Sequence, residues 1–405
     1  MITKSSFPLF SVFIFMFGAL ALLLTPLTTF AETQDMPIRV AIFNASMEAN
    51  NYNADEASIT GGELSYNLRD GTHPQIQNIA EIIQLVRPHV IILNEFDYSA
   101  QASKDIAAFL KHYLELSQQG NAPINYPYVF SAPVNTGVDS GFDLDGDGVA
   151  SGYKADAFGY GLFPGHYGMA ILSQFPIEEE QIRTFQTFLW KDMPNSMLGD
   201  VKNEDGTHFY SEQAQAAFRL SSKSHWDVPV MVNGRQLNIL VSHPTPPVFD
   251  GFEDRNGKRN HDEIRFWTDY ISGVQQSAYI YDDKGQKGGL QGDYFIIAGD
   301  LNASPDEGSA IRKGIADLIA HPRVQDDLPP TSEAAVLHTP SNPFAAEHTA
   351  SWRMRADYVL PSSSLKVTDS GVFWPKPDDP LYRLIQDRQS SSDHKLVWVD
   401  VSFGQ

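Results

Sequence analysis

Polar side chains able to catalyse hydrolysis lie at or near the ends of apolar runs at six places along the chain. They are asparagines, carboxylates and histidines, namely Asn44, Asn94-Glu95, His243, Asp300 with Asn302, Asp357 and Asp393-His394. A polar residue after a strand is most often a turn former, so one such site alone indicates little. If the preceding strands lie side by side, however, all six sites meet on one rim and form a plausible catalytic set.

The oxygen donors among these residues favour a divalent metal ion. Mg²⁺ prefers oxygen ligands and Mn²⁺ accepts the same donors, so the Glu95 carboxylate and the Asn44 amide oxygen form the expected ligand pair. Such a metal would polarise a phosphoryl oxygen and stabilise the leaving group. Asp300, supported by Asn302, would then orient and deprotonate the attacking water.

The two histidines would complete this chemistry by contacting the phosphoryl oxygens. Protonated His243 and His394 could donate hydrogen bonds as negative charge builds in the transition state. A neighbouring carboxylate keeps a histidine cationic and aims its ring. Asp393 is adjacent to His394 in the sequence, so we expect the orienting partner of His394 across the site, at Asp357 or Asp300.

Short runs rich in valine, isoleucine and leucine precede most of these residues and predict strands. The runs lie at 38–43, 90–93, 168–172, 236–241, 294–298, 355–360 and 396–401. Apolar residues at helical spacing predict helices at 75–86, 105–116 and 262–281. Strands interleaved with a few helices over the whole length indicate one α/β domain from residue 32 to residue 405, with two packed sheets and outer helices.

The same motifs resemble those of a known family. Asn44, Asn94-Glu95, Ser242-His243, Gly299-Asp300-Leu301-Asn302 and Ser392-Asp393-His394 resemble the signatures of the endonuclease/exonuclease/phosphatase superfamily, in the family's order. The segment 168–173 is similar to the family's central strand. The resemblance covers roughly residues 36–403 and implies a DNase I-like fold, a four-layer α/β sandwich of two packed β-sheets flanked by helices.

The resemblance also implies an activity, the hydrolysis of phosphate mono- or diesters. It implies metal binding at Asn44 and Glu95, and water positioning by Asp300 with support from Asn302. Some relatives are proposed to hold a second metal near Asp300, Asn302 and Asp393, so the number of metal ions stays open. Phosphate contact and its support are implied for His243, His394, Asp357 and Asp393.

Long stretches without periodicity are where substrate selection is expected. They lie at about 117–165, 184–225 and 244–262. His166 and Tyr167 follow the first stretch, on a loop that borders the active rim in the family, so they could contact substrate. An ordinary surface turn with an aromatic residue explains the two equally well.

A basic cluster in this acidic protein begins at Arg255 and includes Asn260 and His261. A guanidinium grips phosphate through two parallel hydrogen bonds, so this segment could bind the substrate's phosphate. A solvated charged turn before the helix predicted at 262–281 is the alternative.

Acidic residues Asp143, Asp145 and Asp147 precede Gly148 at the spacing of a Ca²⁺-binding loop. The twelfth position of the loop is Lys154, where an EF-hand needs a bidentate glutamate, so a complete EF-hand is not predicted. A loop stabilised by Ca²⁺, separate from the catalytic residues, and a simple acidic turn both remain open.

The first 31 residues have the pattern of a secretory signal peptide. Lys4 is the only charged residue, an apolar run occupies 7–24, and small residues near 29–31 suit a processing site. We expect residues 1–31 to be removed and the protein to be extracellular or periplasmic, with no membrane span left. The alternative is an uncleaved anchor, because the uncharged run is long enough to span a bilayer.

The amino-acid composition favours some classes of substrate over others. Loss of Lys4 with the leader changes the formal net charge from −21 to −22, which opposes non-specific capture of polyanions. Small phosphoesters or phospholipid headgroups are therefore favoured over nucleic acid, although an extracellular nuclease stays open. The absence of cysteine excludes thiolate metal sites and cysteine nucleophiles. A non-catalytic, calcium-dependent binding module is the alternative from another class, and nothing in the sequence indicates an obligate protein partner.

Overall fold

The computed structural model describes residues 1–6, 8–9 and 37–404. The chain divides into two units, Met1–Asp35 and Met36–Gln405, and the described residues of the first unit form neither helix nor strand. The signal peptide predicted over 1–31 falls mainly outside the described residues, as does the start of the predicted 32–405 domain. Within the described part, no helix is long and apolar enough to cross a membrane.

The second unit is built from strands and short to medium helices. The strands are β1 (Ile38–Met47), β2 (Val90–Phe96), β3 (Tyr128–Phe130), β4 (Met169–Ser173), β5 (Arg183–Thr184), β6 (His225–Val232), β7 (Arg235–Ser242), β8 (Phe295–Asp300), β9 (Asp357–Pro361), β10 (Leu365–Val372) and β11 (Val397–Phe403). The α-helices are α1 (Ala49–Tyr52), α2 (Glu63–Asn67), α3 (Pro74–Val86), α4 (Ala102–Phe109), α5 (Glu212–Ala217), α6 (Arg255–Ile271), α7 (Lys313–Ile319) and α8 (Glu333–His338).

The strands form two sheets that pack against each other. One sheet has the order β10-β11-β1-β2-β4-β3 and the other has the order β5-β6-β7-β8-β9. β1 is parallel to β2 and β7 is parallel to β8, whereas the other neighbours are antiparallel. Successive side chains of a strand point to opposite faces. Ile296 and Ala298 of β8 therefore join the core shared with the first sheet, and Ile297 joins the core under α6.

Helices cover the sheets on their outer sides. α3 buries Ile76, Ile79 and Ile83 in the core of the six-stranded sheet, at the helical spacing seen in the sequence. α6 buries Ile264 and Trp267 in the core of the five-stranded sheet. Two mixed sheets flanked by helices make up the predicted four-layer α/β sandwich, and the DNase I-like fold class is confirmed.

The first and last strands are neighbours in the middle of the six-stranded sheet. β1 and β11 pair antiparallel, with Ile38 opposite Val401. Arg39 on β1 donates two hydrogen bonds of 2.7 Å to the carboxylate of Asp400 on β11. The guanidinium of Arg39 also lies 3.8 Å from the centre of the Trp398 ring. This pair joins residues 361 positions apart in the sequence.

Two details of the predicted elements are wrong. α6 begins at Arg255 and ends at Ile271, instead of spanning 262–281. The helix ends early because Gly273 adopts a left-handed backbone with φ of +93°, and it begins early because charged residues such as Arg259 are buried by tertiary contacts. The apolar pattern also misses β3, β5, β6 and β10, of which β6 includes buried polar residues such as Asp227.

Candidate active site

The candidate residues lie at one edge of the sandwich because of how the strands pair. Asn44 of β1 is the register partner of Asn94 on the parallel strand β2. The last residue of β8, Asp300, faces the first residue of β9, Asp357. Since parallel neighbours end at the same edge and antiparallel neighbours begin there, side chains far apart in the sequence meet at this edge.

Asp300 lies at the centre of the cluster and is buried. Its Oδ2 atom accepts a hydrogen bond of 3.1 Å from the Asn44 amide. The same oxygen lies 3.4 Å from Nε2 of His243 and 3.5 Å from Nε2 of His394. One carboxylate oxygen thus faces three candidate residues.

The other atoms of Asp300 are held by backbone and amide contacts. Its Oδ1 atom accepts a hydrogen bond of 3.0 Å from the backbone of Asn302, and its own backbone N–H donates to the Asn94 side chain at 2.8 Å. Asn302 has a left-handed backbone with φ of +52°, and its amide donates to the carbonyl of Pro244. The carboxylate is therefore fixed from both sides.

His394 is oriented by a second buried carboxylate. Its Nδ1 atom lies 2.9 Å from Oδ2 of Asp357, which also accepts a hydrogen bond of 2.7 Å from the Thr349 hydroxyl. Because the carboxylate oxygen is an acceptor, Nδ1 carries the proton. The exposed ring of Trp352 meets the His394 ring edge to face, with centres 4.6 Å apart.

The electrostatics of the site shift the pKa values of the two histidines in opposite directions. Burial opposes the charged ring of His394, but the charges of Asp357 and Asp300 prevail and raise its pKa to about 10. Burial and the charge of Lys223 lower the pKa of His243, against the pull of Asp300. His394 is therefore the cationic member of the pair and His243 is the neutral one in the free protein. The sequence-based expectation of two protonated histidines is corrected for His243.

The pKa values of the two buried carboxylates are shifted in opposite directions. Burial opposes ionisation of Asp300, yet the charge of His394 and the hydrogen bonds from His243 and Asn44 hold the pKa of Asp300 well below its usual value. Burial raises the pKa of Asp357, against the attraction of His394. Asp300 thus stays an anionic acceptor over the whole physiological range.

Glu95 lies beside this cluster, at the end of β2, with a left-handed backbone at φ of +55°. Its Oε2 atom accepts a hydrogen bond of 3.2 Å from Arg388, and Arg388 also donates to Glu48 at 2.9 Å. Asp393 is more peripheral: its carboxylate lies 4.0 Å from Arg388 and 3.4 Å from the Ser46 hydroxyl, and it does not orient the His394 ring.

Glu48 and Arg388 are site residues that sequence reasoning misses. Glu48 follows β1 directly, so a carboxylate just after the Asn44 strand was a usable signal. Arg388 lies in the loop before His394 and follows no apolar run, so no pattern identifies it.

His166 is completely buried, its Nδ1 accepts a hydrogen bond from the backbone of Leu162, and its Nε2 donates to Glu48 at 3.0 Å. Both ring nitrogens are thus used within the protein. The Tyr167 ring stacks on it, with centres 3.7 Å apart. Tyr167 is only partly buried, and among the described residues its hydroxyl has no hydrogen-bond partner. Substrate contact by His166 and Tyr167 stays a prediction.

The basic cluster at the start of α6 makes contacts within the protein. One nitrogen of Arg255 pairs with Glu253, and His261 pairs with the neighbouring Asp262 at 3.0 Å. The buried amide of Asn260 donates to the carbonyls of Thr245 and Leu301 and so joins the loops after β7 and β8. Phosphate binding by this cluster stays a prediction.

Two groups of side chains offer donor atoms close enough to hold a metal. Asp300, Asp357 and His394 form one group, and Asp143, Asp145 and Asp147 form the other, with donor atoms within 4.8 Å of one another in each. In the first group His394 is hydrogen-bonded to Asp357, and Asp300 lies 3.5 Å from the other ring nitrogen of His394. The acidic loop accepts hydrogen bonds from its own backbone, for example Gly146 to Asp143 at 2.7 Å, and Ca²⁺ binding there stays a prediction.

The predicted metal ligands, Asn44 and Glu95, fit Mg²⁺ or Mn²⁺ by their chemistry. Both present hard oxygen donors at neighbouring strand ends. Among the described residues, one oxygen of Glu95 accepts no hydrogen bond, and the Asn44 oxygen has only a long contact of 3.4 Å with the Ser46 backbone. These atoms remain available to a cation.

Comparison with known proteins shows the family of the chain. Residues 64–394 match the model of the endonuclease/exonuclease/phosphatase family, which is more than half of the chain. The chain belongs to the endonuclease/exonuclease/phosphatase family. Members of this family are phosphoester hydrolases. The matched segment runs from α2 to His394 and so includes every candidate catalytic residue except Asn44, which precedes it on β1.

Solved structures of the family resemble the chain at low identity. An endonuclease/exonuclease/phosphatase from Beutenbergia cavernae is 15% identical with a TM-score of 0.47, covering 91% of this chain and 72% of that one. The human Nocturnin catalytic domain with bound sulfate is 16% identical, TM-score 0.43, covering 91% and 95%. Staphylococcus aureus beta toxin with bound magnesium is 14% identical, TM-score 0.44, covering 90% and 99%. No curated protein matches the sequence.

Proposed function

We propose that this protein is a metal-dependent phosphoesterase that hydrolyses phosphate mono- or diesters by attack of water. The observation that carries the proposal is the position of Asp300, whose one oxygen faces Asn44, His243 and His394 within 3.5 Å. Such a buried cluster of an anionic acceptor, a neutral imidazole and a cationic imidazole has no need to exist for stability alone, and perturbed groups of this kind mark reaction sites.

Asn44 and Glu95 would hold Mg²⁺ or Mn²⁺ at the edge of the cluster. When bound, the metal supplies positive charge that polarises a phosphoryl oxygen and stabilises the leaving group. The protein's net charge of −21 makes such a local source of positive charge necessary for an anionic substrate.

The protein's own residues would orient the reactants. Asp300, anionic over the physiological range, accepts a hydrogen bond from the attacking water and so aligns it, with Asn302 fixing the other carboxylate oxygen. His394 carries its proton because Asp357 lies behind it, and it donates toward the phosphoryl oxygens as their charge increases. His243, neutral in the free protein, is suited to donate one hydrogen bond and to exchange a proton.

The acidity of the chain favours small phosphoesters or phospholipid headgroups over nucleic acid, because long-range repulsion opposes a polyanion. An N-terminal signal peptide over 1–31 would place the activity outside the cytoplasm, with residues 32–405 as the mature enzyme. Sequence determination of the mature N-terminus tests that part of the proposal.

The central test compares three substrates with Mg²⁺ or Mn²⁺ added: p-nitrophenyl phosphate, bis-p-nitrophenyl phosphate and plasmid DNA. We expect Glu95→Gln and His243→Ala to lower turnover at least about a hundredfold. Glu333→Gln is the matched control, because the Glu333 side chain is 83% exposed and lies on α8. Wild-type rates in both site variants would refute the site, and cleavage of the monoester alone would exclude a nuclease.

A further inference from the structure

Arg388 is the one guanidinium that contacts the candidate site, among the described residues, and the proposed chemistry gives it no role. Its Nη2 atom lies 2.9 Å from Glu48 Oε1 and 3.2 Å from Glu95 Oε2. Its Nη1 atom lies 4.0 Å from Asp393 Oδ2. The side chain is 37% exposed, so the guanidinium faces both the carboxylates and solvent.

Glu48 is a fixed anchor for this arginine. Its side chain is completely buried, and it accepts hydrogen bonds from Nε2 of His166 at 3.0 Å and from the backbone of Asn50 at 2.6 Å. His166 is itself held by the Leu162 backbone and by stacking between Phe163 and Tyr167. A buried carboxylate of this kind needs a charged partner, and Arg388 supplies it.

Glu95 is a different kind of partner. Its side chain is 16% exposed, and Arg388 is its one hydrogen-bond partner among the described side chains. A divalent cation on the free oxygen of Glu95 would repel the guanidinium and draw charge away from the oxygen that Arg388 contacts, whereas Glu48 lies out of reach of solvent. Cation binding would therefore weaken one contact of Arg388 and leave the other.

The loop that carries Arg388 does not depend on this arginine for its position. The Gln75 amide donates to the carbonyl of Ser391 at 2.7 Å, and the Asn78 amide donates to the carbonyl of Ser390 at 2.8 Å. Asp387 caps the same turn by accepting from the Ser390 backbone at 2.7 Å. The guanidinium is thus not needed to hold the loop, because three other contacts already fix it.

We infer that Arg388 binds the phosphate group of the substrate, anchored by Glu48 and released from Glu95 when a divalent cation takes that carboxylate. A guanidinium has five N–H donors, and in the free protein one of its nitrogens makes both carboxylate contacts within hydrogen-bond distance. The remaining donors suit two oxygens of a phosphoryl group. This inference rests on the proposed function of the same site.

Calorimetry on the whole protein tests the inference without relying on turnover. Mn²⁺ is titrated into wild type and Arg388→Gln, and inorganic phosphate is then titrated into the Mn²⁺-loaded proteins. We expect Arg388→Gln to bind Mn²⁺ more tightly, since a competing cation is gone, and to bind phosphate about tenfold or more weakly. Arg388→Lys, which keeps the charge and loses the planar fork, should fall between the two in phosphate affinity.

Arg383→Gln is the matched control, because Arg383 lies in the preceding turn and pairs with Glu81, away from the cluster. It should leave both affinities at wild-type values. Unchanged phosphate affinity in Arg388→Gln, or weaker Mn²⁺ binding, would overturn the inference. If wild type hydrolyses none of the test esters, the proposed function fails, while the two titrations still decide the role of Arg388. Coincident thermal unfolding of the variants excludes misfolding as the cause.

Discussion

The Nδ1 atom of His394 lies 2.9 Å from the carboxylate of Asp357, and both side chains are buried, Asp357 at the start of β9 and His394 three residues before β11. Asp357→Asn keeps the shape of this pair and removes its charge. We expect turnover to fall about a hundredfold, because the amide neither holds the imidazole cationic nor fixes its tautomer. Steady-state kinetics on the preferred ester measure the loss of turnover. The control is Asp369→Asn, at an exposed position of β10. A variant as active as wild type would remove Asp357 from the mechanism.

The same pair predicts how stability depends on pH. The carboxylates around His394 raise its pKa to about 10 from the ordinary 6.5, so its charge stabilises the fold fully below pH 6.5. This contribution is lost as pH rises toward about 10. Urea unfolding of wild type and His394→Gln in EDTA should therefore show a difference in unfolding free energy that shrinks across this window. A difference that grows with pH would mean that the ring is neutral in the folded protein.

His166 is predicted to support the fold rather than to bind substrate. His166→Phe keeps the stack with Phe163 and Tyr167 but removes the donor to buried Glu48. Leaving that carboxylate short of a partner should cost about 1–3 kcal/mol in the free energy of unfolding. Chemical denaturation measures the loss in the free energy of unfolding. The control is His338→Phe, at an exposed position of α8. The opposite pattern, normal stability with a raised KM, would restore the substrate-contact role.

Gly299 is predicted to be required by the close approach of two strands. A Cβ atom added at this residue would lie 1.9 Å from the carbonyl oxygen of Ser242, so the backbones of β7 and β8 would have to move apart. We expect Gly299→Ala to destabilise the protein by about 3 kcal/mol and to displace Asp300, with loss of activity. Gly199→Ala is the control, because nothing lies within 4 Å of its added Cβ. Equal thermal midpoints for the two variants would contradict the predicted clash.

The residues that the sequence predicts best are those at the ends of buried strands. Asn44, Glu95 and Asp300 each follow a run of valine, isoleucine and leucine, and pairing alone brings such ends together. The fold class follows from the same runs, because strands buried on both faces need helices outside them. Periodicity and spacing therefore predict which residues lie at the edge of the sandwich that holds the candidate site.

Residues whose roles depend on tertiary partners could not be predicted in this way. Arg388 lies in an irregular loop, and only the fold brings it to Glu48, which is 340 residues away. Arg255 and Asn260 have the composition of a phosphate-binding segment, but one nitrogen of Arg255 pairs with Glu253 and the Asn260 amide donates to backbone carbonyls. Charge in the sequence does not reveal which charges are already paired.

The adjacency of β1 and β11, joined by Arg39 and Asp400, bears on when the protein acquires its activity. Asn44 and His394 are 350 positions apart, so Asn44 is synthesised well before His394 and the strand after it. A nascent chain therefore lacks a complete reaction centre until translation of the last strand, and the slow closure of so long a loop delays folding further. Loss of β11 would leave β1 without its antiparallel neighbour and remove core residues such as Val399, so the site and the sheet that carries it would be lost together.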